Sequence, residues 1–379
     1  MTIRYIFSTV LILSAVVLCG CGLISDTVGS FTNIVGMSDT ATVISKTAQI
    51  RTSYAVVAAD LLEVKRGDQL DVIDQTEFEK VLWYRVRAHD DANTEGWIEA
   101  QHVITSEVME KSKQLAEGFK DTQPQAAGQL RAASNLRLAP DMGPENVLFK
   151  LASGSTFEVM DWKYVPKQEV SDVDDAKGDQ KRSLGTSSDE IEAAKVQGDA
   201  EKIDEKYDVW YLVRLERSIS PAPAGWIFGR QVDLAVPADI VFYQANNRKF
   251  VAWQRLDTET AGNVVSSDRV STPGNWVVLS RSNISKPVDG VEPDFDAVQI
   301  FAYDKYDQNY YTAYRTSADI WGKLPMMVEG SGDNKTFTLR LRGPDGQMAD
   351  KRFTVFRDKS RIKVTPPEDL AQYQQPAKK

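Results

Sequence analysis

A series of short motifs occurs twice, in the same order, in the body of this chain. The first copy contains residues 67–74, 83–87 and 96–98, and the second contains residues 154–161, 210–214 and 225–227. Apolar and polar residues alternate in these runs, as in Leu70, Asp71 and Val72, which is typical of strands with one face on a core. A repeat of this kind indicates one small unit built twice. The sequence therefore predicts two β units of about five short strands each.

Glycines stand at equivalent places in the two copies, before or at the start of a strand. They are Gly67 and Gly96 in the first copy, and Gly154 and Gly225 in the second. A turn that requires positive φ penalises every residue except glycine. We therefore expect these four positions to adopt that conformation.

The order of the motifs resembles the bacterial SH3-like (SH3b) family, whose pattern is an Asn-x-Arg-like opening strand, Gly-Asp, Trp-Tyr-x-Val-Arg and Gly-Trp-Ile/Val. The opening strand is matched by Gln49-Ile50-Arg51 and by Asn135-Leu136-Arg137. The longest motif is matched by Trp83-Tyr84-Arg85-Val86-Arg87 and by Trp210-Tyr211-Leu212-Val213-Arg214. The first copy departs from the pattern over Tyr54-Ala55-Val56-Val57, where it lacks the proline that follows Ala139 in the second. The resemblance implies two SH3-like small barrels, at residues 41–105 and 127–236.

Two other segments belong to this half of the chain. Residues 165–207 interrupt the second copy with a stretch dense in charged residues, Ser and Gly, which cannot bury enough apolar surface to offset its chain entropy. We expect a mobile insertion with a short helix around residues 189–195. Between the copies, residues 106–126 are expected to contain a linker helix, because Val108, Ser112, Leu115 and Phe119 would share one helical face.

The C-terminal part, residues 237–366, is predicted to be an antiparallel β-meander. Its predicted strands are residues 240–243, 250–256, 276–282, 298–304, 310–316, 326–329, 337–342, 353–357 and 362–364. Several are joined by turns short enough for hairpins, and so many strands must close or pair, as a barrel or a sandwich. The two architectures are not distinguished by the pattern. Residues 367–379 are expected to be a disordered tail.

One hairpin of this meander is rich in aromatic residues. In register across its turn, Phe301 and Tyr303 would share a face with Tyr310, Thr312 and Tyr314, opposite Val298, Ile300, Tyr311 and Ala313. Two apolar faces indicate either a hairpin covered on both sides or a groove for an apolar or sugar-like ligand.

The first residues have the pattern of a secretory signal. One positive charge, Arg4, precedes an apolar stretch over residues 5–18, which is too short to span a bilayer. The Leu18-Cys19-Gly20-Cys21 run that comes next resembles the bacterial lipobox. That resemblance implies removal of residues 1–20 and lipidation of Cys21, with residues 21–40 as a tether to the membrane. Because Gly22 rather than Asp follows the cysteine, it also implies an outer-membrane protein facing the periplasm in a diderm organism.

Several classes of chemistry lack the residues that they need. No cysteine follows Cys21, and the only histidines are His89 and His102, which excludes a cysteine peptidase and disfavours a zinc site. Carboxylates remain as acid/base candidates, namely Asp294, Asp296, Asp304 and Asp307. They stand beside turn residues, where Asp is favoured for local hydrogen bonding. We therefore expect no enzyme, no cofactor and no metal.

The resulting hypothesis is a non-catalytic, lipid-anchored cell-envelope protein that binds cell-wall peptide or glycan, or a partner protein. A net charge of −9 argues against nucleic acid as the partner. The candidate ligand-binding residues are the motif aromatics Trp83, Tyr84, Trp97, Trp210, Tyr211 and Trp226. Two alternatives stay open: a carrier or chaperone of apolar molecules that uses the C-terminal β domain, and an assembly scaffold of an envelope complex.

Overall fold

The first copy of the repeat folds into a seven-stranded antiparallel sheet. The computed structural model describes residues 39–167, 202–257, 273–331 and 334–375. The strands of the first copy are β1 (Asp39–Val43), β2 (Thr47–Arg51), β3 (Asp60–Lys65), β4 (Gln69–Phe78), β5 (Val81–Ala88), β6 (Glu95–Glu99) and β7 (Val103–Thr105). Their order is β3-β2-β6-β5-β4-β1-β7. The alternation that predicted the strands also fills the core, where Ile50, Leu70, Val86 and Ile98 are fully buried.

The second copy has the same strands in the same order. They are β8 (Ala126–Leu130), β9 (Ser134–Arg137), β10 (Val147–Leu151), β11 (Thr156–Pro166), β12 (Tyr207–Arg214), β13 (Ala224–Phe228) and β14 (Val232–Leu234). Their order is β10-β9-β13-β12-β11-β8-β14, which is that of the first copy strand for strand. Even single pairings recur, since Arg51 lies opposite Trp97 as Arg137 lies opposite Trp226. The duplicated β unit is confirmed, with seven strands in each copy rather than five.

A helix connects the two copies, as the pattern predicted. Helix α1 (Ser106–Glu117) buries Met109 and Ser112. It contacts β13 of the second copy and, more lightly, β1 and β7 of the first. The Ser112 hydroxyl donates a hydrogen bond to the Ala224 carbonyl oxygen, which ties the helix to the second copy.

The ends of the predicted charged insertion belong to the fold. Strand β11 continues to Pro166, and helix α2 (Ile203–Lys206) precedes β12. Ile203 is buried, and its backbone N–H donates to the Asn283 carbonyl oxygen of the C-terminal part at 3.0 Å. The expected helix around residues 189–195 lies outside the described residues.

The C-terminal part consists of two four-stranded antiparallel meanders. The first contains β15 (Arg248–Arg255), β16 (Trp276–Ser282), β17 (Ala297–Asp304) and β18 (Asn309–Arg315). The second contains β19 (Gly322–Ser331), β20 (Asn334–Arg342), β21 (Met348–Asp358) and β22 (Arg361–Thr365). Tyr314 of the first sheet contacts Phe353 of the second at 6.0 Å between ring centroids. The described strands thus form two sheets in contact, as in a sandwich, rather than one closed barrel.

Two C-terminal expectations were wrong. Residues 240–243, predicted as a strand, contain a short 3-10 helix (Val241–Tyr243). The tail, expected to be disordered from residue 367, contains helix α3 (Leu370–Tyr373) and is described up to residue 375. Leu370 is buried in the core, and the Gln375 N–H donates to the Asp319 carbonyl oxygen at 2.6 Å. Contacts distant in sequence therefore order a segment whose polar composition suggested disorder.

The aromatic hairpin β17–β18 has the predicted register near its turn only. Tyr303 pairs with Tyr310 and Phe301 with Thr312, but a β-bulge at Ala313 of β18 places Tyr314 opposite Ile300. Because a bulge adds one residue to its strand, the side chains on either side of it exchange faces, and Tyr314 joins the side that packs on the second sheet. The predicted common face of Phe301 and Tyr314 was wrong for this reason.

The two copies and the C-terminal part pack together. Ile44 and Ile104 of the first copy, Phe157 of the second and Phe301 and Phe353 of the sandwich belong to one cluster of buried apolar residues. Arg66 of the first copy also donates to the carbonyl oxygens of Ser218 and Ile219 at 3.1 and 3.0 Å. The described residues accordingly form one contact unit.

The repeated glycines serve two different purposes. Gly67 and Gly154 have φ values of 95° and 82°, as expected. Gly96 and Gly225 do not have positive φ, so the expectation was wrong for this pair. A Cβ atom on Gly225 would lie 2.6 Å from the Leu136 Cγ atom, and one on Gly96 would lie 2.5 Å from the Arg51 carbonyl oxygen. Close approach of the opening strand, rather than a turn, requires these two glycines.

We expect Gly225→Ala to lower the free energy of unfolding by about 1–3 kcal/mol, because the added methyl group overpacks the contact with Leu136. Chemical denaturation monitored by tryptophan fluorescence would measure the change. Gly118→Ala is the matched control, since its Cβ atom would meet nothing closer than 3.4 Å. Equal stabilities of the two variants would contradict this explanation of Gly225.

Candidate functional site

The six motif aromatics differ in what they expose to a ligand. Trp83, Trp210 and Trp226 are buried, with 6%, 2% and 5% of their surfaces exposed. Trp97, Tyr84 and Tyr211 are partly exposed. Tyr84 packs against the core of the first copy, where burial raises its pKa above the ordinary value, whereas Tyr211 lies at the junction of the second copy with the sandwich. Trp97 is therefore the motif aromatic best placed to contact a ligand.

In the second copy, the sheet face that carries these tryptophans is closed. Trp210, Leu212 and Trp226 form a small buried cluster against which Phe119 packs. Phe228 contacts Trp210 with ring centroids 5.2 Å apart. Because Phe119, Val165 and Phe228 pack on this cluster, the second copy does not offer its tryptophans to a ligand.

The same face of the first copy is covered by a loop. Tyr54, in the loop between β2 and β3, contacts Phe78 at 5.1 Å and Trp97 at 5.2 Å between ring centroids. The Arg51 guanidinium holds this loop, donating to the Val56 and Ala58 carbonyl oxygens at 3.2 and 3.1 Å. It also forms an ion pair with Asp60 at 3.3 Å. The hydrogen bonds and the ion pair of Arg51 thus hold in place the loop that carries Tyr54.

The loop that carries Tyr54 also has exposed apolar side chains. Val56 and Val57, in the same loop as Tyr54, are 80% and 94% exposed, and Phe78 is 36% exposed. We call Tyr54, Val56, Val57, Phe78 and Trp97 together the first-copy apolar surface. Grouped exposed apolar residues of this kind are characteristic of interaction sites, whereas single ones are ordinary.

Sequence reasoning missed four of these five residues. Only Trp97 lies within a repeated motif, while Tyr54, Val56 and Val57 occupy the stretch where the first copy departs from the SH3b pattern. Two adjacent valines in a loop were a usable signal, since a loop seldom gains from exposed aliphatic side chains. Phe78 ends β4, and alternation alone does not show that its ring meets Tyr54.

The first copy as a whole has a negative net charge. Residues 39–105 contain seven Lys and Arg against twelve Asp and Glu. Exposed Glu77 and Glu79 stand on either side of Phe78. A binding segment with apolar side chains flanked by basic ones would complement this surface in both shape and charge.

The acidic candidates are engaged in structural contacts. Asp294, 2% exposed, accepts hydrogen bonds from the Lys323 ammonium at 2.6 Å and the Leu324 N–H at 2.9 Å. Asp296 is equally buried and paired with Arg248. Asp304 accepts from the backbone N–H groups of Tyr306 and Asp307, as a turn residue does. In this arrangement the carboxylates stabilise loops and buried cations.

The two histidines have separate partners. His89 contacts Asp71 at 3.0 Å, and His102 contacts the Ser45 hydroxyl at 2.8 Å. Within the described ranges, no group of three or more His, Cys, Asp or Glu side chains is arranged to hold a metal ion.

One carboxyl group at the junction of the second copy and the sandwich has an unusual pKa. Burial, together with the nearby charge of Asp294, raises the pKa of Asp161 from 3.8 to about 6. Burial likewise raises the pKa of Asp294, against the opposing effect of Lys323. Two carboxylates thus share the neighbourhood of one lysine.

No protein-family model and no curated protein matches this chain. Cys21, the candidate lipidation site, lies outside the described residues. None of the helices in the described ranges has the length and apolar character needed to cross a membrane.

We expect Asp161→Asn to raise the free energy of unfolding by about 1–3 kcal/mol at pH 7.5. The folded-state pKa is raised, so the wild type keeps its full stability below about pH 4 and loses part of it as the pH rises through 6. The asparagine variant avoids the cost of a buried charge. Denaturant titrations at pH 4 and pH 7.5 would measure the difference, which should vanish at pH 4.

The repeat supplies the control for this experiment. Asp74 occupies the position in the first copy that Asp161 occupies in the second, and it is exposed. Asp74→Asn should leave stability within about 0.5 kcal/mol of wild type at both pH values. A gain for Asp74→Asn equal to that for Asp161→Asn would contradict the role of burial.

Proposed function

We propose that this chain is a non-catalytic, lipid-anchored envelope protein whose first SH3-like copy binds a segment of a partner protein. The observation that carries the proposal is the first-copy apolar surface, where exposed Val56 and Val57 share a loop with Tyr54, whose ring contacts Phe78 and Trp97. In the second copy the equivalent Trp226 is buried in a cluster on which Phe119 packs. The two copies would then divide their roles: the first binds, and the second joins it to the rest of the molecule.

The chemistry of the surface favours a protein segment over glycan. Sugar rings stack on flat aromatic faces and need many polar partners, whereas Val56 and Val57 offer aliphatic groups without hydrogen-bonding atoms. The acidic residues beside Phe78 favour basic residues in the bound segment. The bound segment would therefore place apolar side chains over Val57 and Phe78 and basic ones beside Glu77 and Glu79.

The proposed location rests on Cys21 and the apolar stretch before it. A lipid-modified N-terminus followed by a tether would hold the binding surface close to the membrane. The outer membrane, facing the periplasm, is the proposed site in a diderm organism.

Binding is tested by selecting peptides from a random displayed library on the full-length protein. We expect selected sequences to combine apolar residues with Lys or Arg. Val57→Asp should weaken a selected peptide by about tenfold or more, because it puts a charge at the centre of an apolar contact. Fluorescence anisotropy with the labelled peptide would measure the affinity.

Phe242→Asp is the matched control, since Phe242 is 89% exposed but belongs to the C-terminal part. It should leave peptide affinity unchanged. Co-sedimentation of the same proteins with purified peptidoglycan tests the other ligand class. Val57-dependent sedimentation without any selected peptide would overturn the protein-segment proposal.

Lipidation is tested by metabolic labelling with an alkyne-bearing fatty acid. Cys21→Ala should abolish the label and release the protein from the membrane fraction. Cys19→Ala, two residues away, should keep both, because only the cysteine after the cleavage site is modified. Persistence of the label in Cys21→Ala would contradict the anchor.

A further inference from the structure

One hairpin from each sheet of the sandwich lines a groove of about 750 Å³. Tyr303 and Tyr306 line it from the β17–β18 hairpin, and residues 357, 359 and 360 line it from the β21–β22 hairpin. Asn275, just before β16, and Lys335 of β20 also contribute. Small-molecule sites usually measure about 300–1,000 Å³, so this groove has the size of a ligand site.

Tyr303 is held in place by the protein itself. Its backbone N–H donates to the Asn275 Oδ1 atom at 3.0 Å, and its ring contacts Tyr310 with centroids 5.2 Å apart. The Tyr310 hydroxyl in turn donates to Asp239 and accepts from the Gly274 N–H at 3.0 Å. A ring that is held in this way loses little conformational entropy when a ligand packs on it.

Tyr306 presents a second ring at the same groove. It is 87% exposed, while its backbone N–H donates to the Asp304 Oδ1 atom at 2.9 Å and so fixes the turn. A tyrosine combines an apolar ring face with a polar hydroxyl, which suits a ligand that has both kinds of surface. Sugars are ligands of this kind, since a pyranose ring has an apolar C–H face and hydroxyl groups around its edge.

Basic side chains outnumber acidic ones in the groove, although the protein as a whole is acidic. Four basic and two acidic side chains line it, whereas the chain contains 45 Lys and Arg against 54 Asp and Glu. Both acidic side chains are engaged. Asp257 pairs with Arg255 at 2.9 Å. Asp304 accepts from backbone N–H groups that follow it in its turn. An excess of one sign of charge in a groove attracts a ligand of the opposite sign.

Two of the basic side chains have no competing partner. Lys305 and Lys359 are exposed, and neither forms an ion pair or a side-chain hydrogen bond in the part of the chain that the structure describes. Each ammonium group carries three donors. They can therefore bind an anionic group in the groove without breaking an existing contact.

We propose that this groove binds an acidic glycan, that is, a sugar chain that carries carboxylate groups. Sugar rings would pack on Tyr303 and Tyr306, and a carboxylate would accept hydrogen bonds from Lys305 and Lys359. Because the groove is concave and has rings on its walls, a sugar chain fits it better than the flat surface of an anionic membrane. The groove belongs to the sandwich, so this proposal does not depend on peptide binding by the first copy.

The probes are hexasaccharides of alginate and of polygalacturonate, which are acidic, and maltohexaose and cellohexaose, which are neutral. Isothermal titration calorimetry with the full-length protein would measure their affinities. We expect saturable binding of an acidic hexasaccharide, about tenfold or more tighter than that of either neutral one, since hydrogen bonds to a charged acceptor are the stronger ones. Raising the salt concentration from about 50 to about 300 mM should weaken this binding, because the charges of exposed lysines are screened.

Tyr306→Ala removes the exposed ring and should weaken the acidic hexasaccharide by about tenfold, whereas Tyr306→Trp should keep the binding. Phe242→Ala is the matched control, since Phe242 is 89% exposed but does not line the groove. It should bind like wild type.

Lys359→Gln removes one ammonium group and should weaken the acidic hexasaccharide by about tenfold without changing the affinity for the neutral ones. Lys80→Gln is the matched control and should bind like wild type. Lys80 is also exposed and also lies in a hairpin turn, with a φ of 64° against 54° for Lys359, but it belongs to the first copy. Circular dichroism and thermal melts would establish that each variant is folded.

Three results would overturn the proposal. The first is the absence of saturable binding of both acidic hexasaccharides; Lys359-dependent binding to phosphatidylglycerol vesicles would then identify a membrane contact instead. The second is binding that the folded Tyr306→Ala and Lys359→Gln variants leave undiminished. The third is equal affinity for acidic and neutral hexasaccharides. Val57→Asp should bind the acidic hexasaccharide like wild type, so failure of this proposal and failure of the peptide-binding proposal are distinguishable.

Discussion

Packing around the second copy is the constraint on which the rest of the structure depends. Ser112 of helix α1 donates to the Ala224 carbonyl oxygen of the second copy, and Arg66 of the first copy donates to its loop at residues 218–219. At the opposite side, the buried Gln125 side chain accepts from the Met326 N–H at 2.7 Å and donates to the Met326 carbonyl oxygen at 3.1 Å. A buried amide paired on both sides fixes the position of the sandwich, because a shift would leave polar groups unpaired. The second copy is thus the centre of one continuous core.

This central role explains why two copies with one topology differ in what they can bind. In the second copy, Trp210 and Trp226 are buried. In the first copy, Val57 and Phe78 are exposed. The second copy has a different feature, a cavity at its junction with the sandwich. Its β11–β12 hairpin places Trp162 and Tyr164 at the junction with the sandwich, where both line a cavity. The two copies have the same topology, and the elements packed against each copy determine which of its side chains a ligand can reach.

Most of the strands could be predicted from the sequence, and the exceptions have identifiable causes. Alternation located eight of the nine C-terminal strands to within a few residues, but the bulge at Ala313 reversed the face of Tyr314. Glycine at position 225 was recognised as necessary, although for a turn rather than for its contact with Leu136. The order of the tail around Leu370 was missed because its contacts are distant in sequence. Local patterns report φ preferences and alternation, and they contain no information about distant neighbours.

The candidate site separates what local sequence patterns can predict from what only tertiary contacts determine. The sequence by itself determined that one β unit is built twice, because the spacing of apolar residues and glycines defines strands and turns locally. The sequence also identified Trp97 as a candidate ligand-binding residue, because it lies within a repeated motif. Only the tertiary structure decided that Trp97 is partly exposed while Trp226 is buried, and that Tyr54 contacts Phe78. Exposure and pairing are properties of how separate segments pack, and a side chain's own sequence neighbours do not specify them.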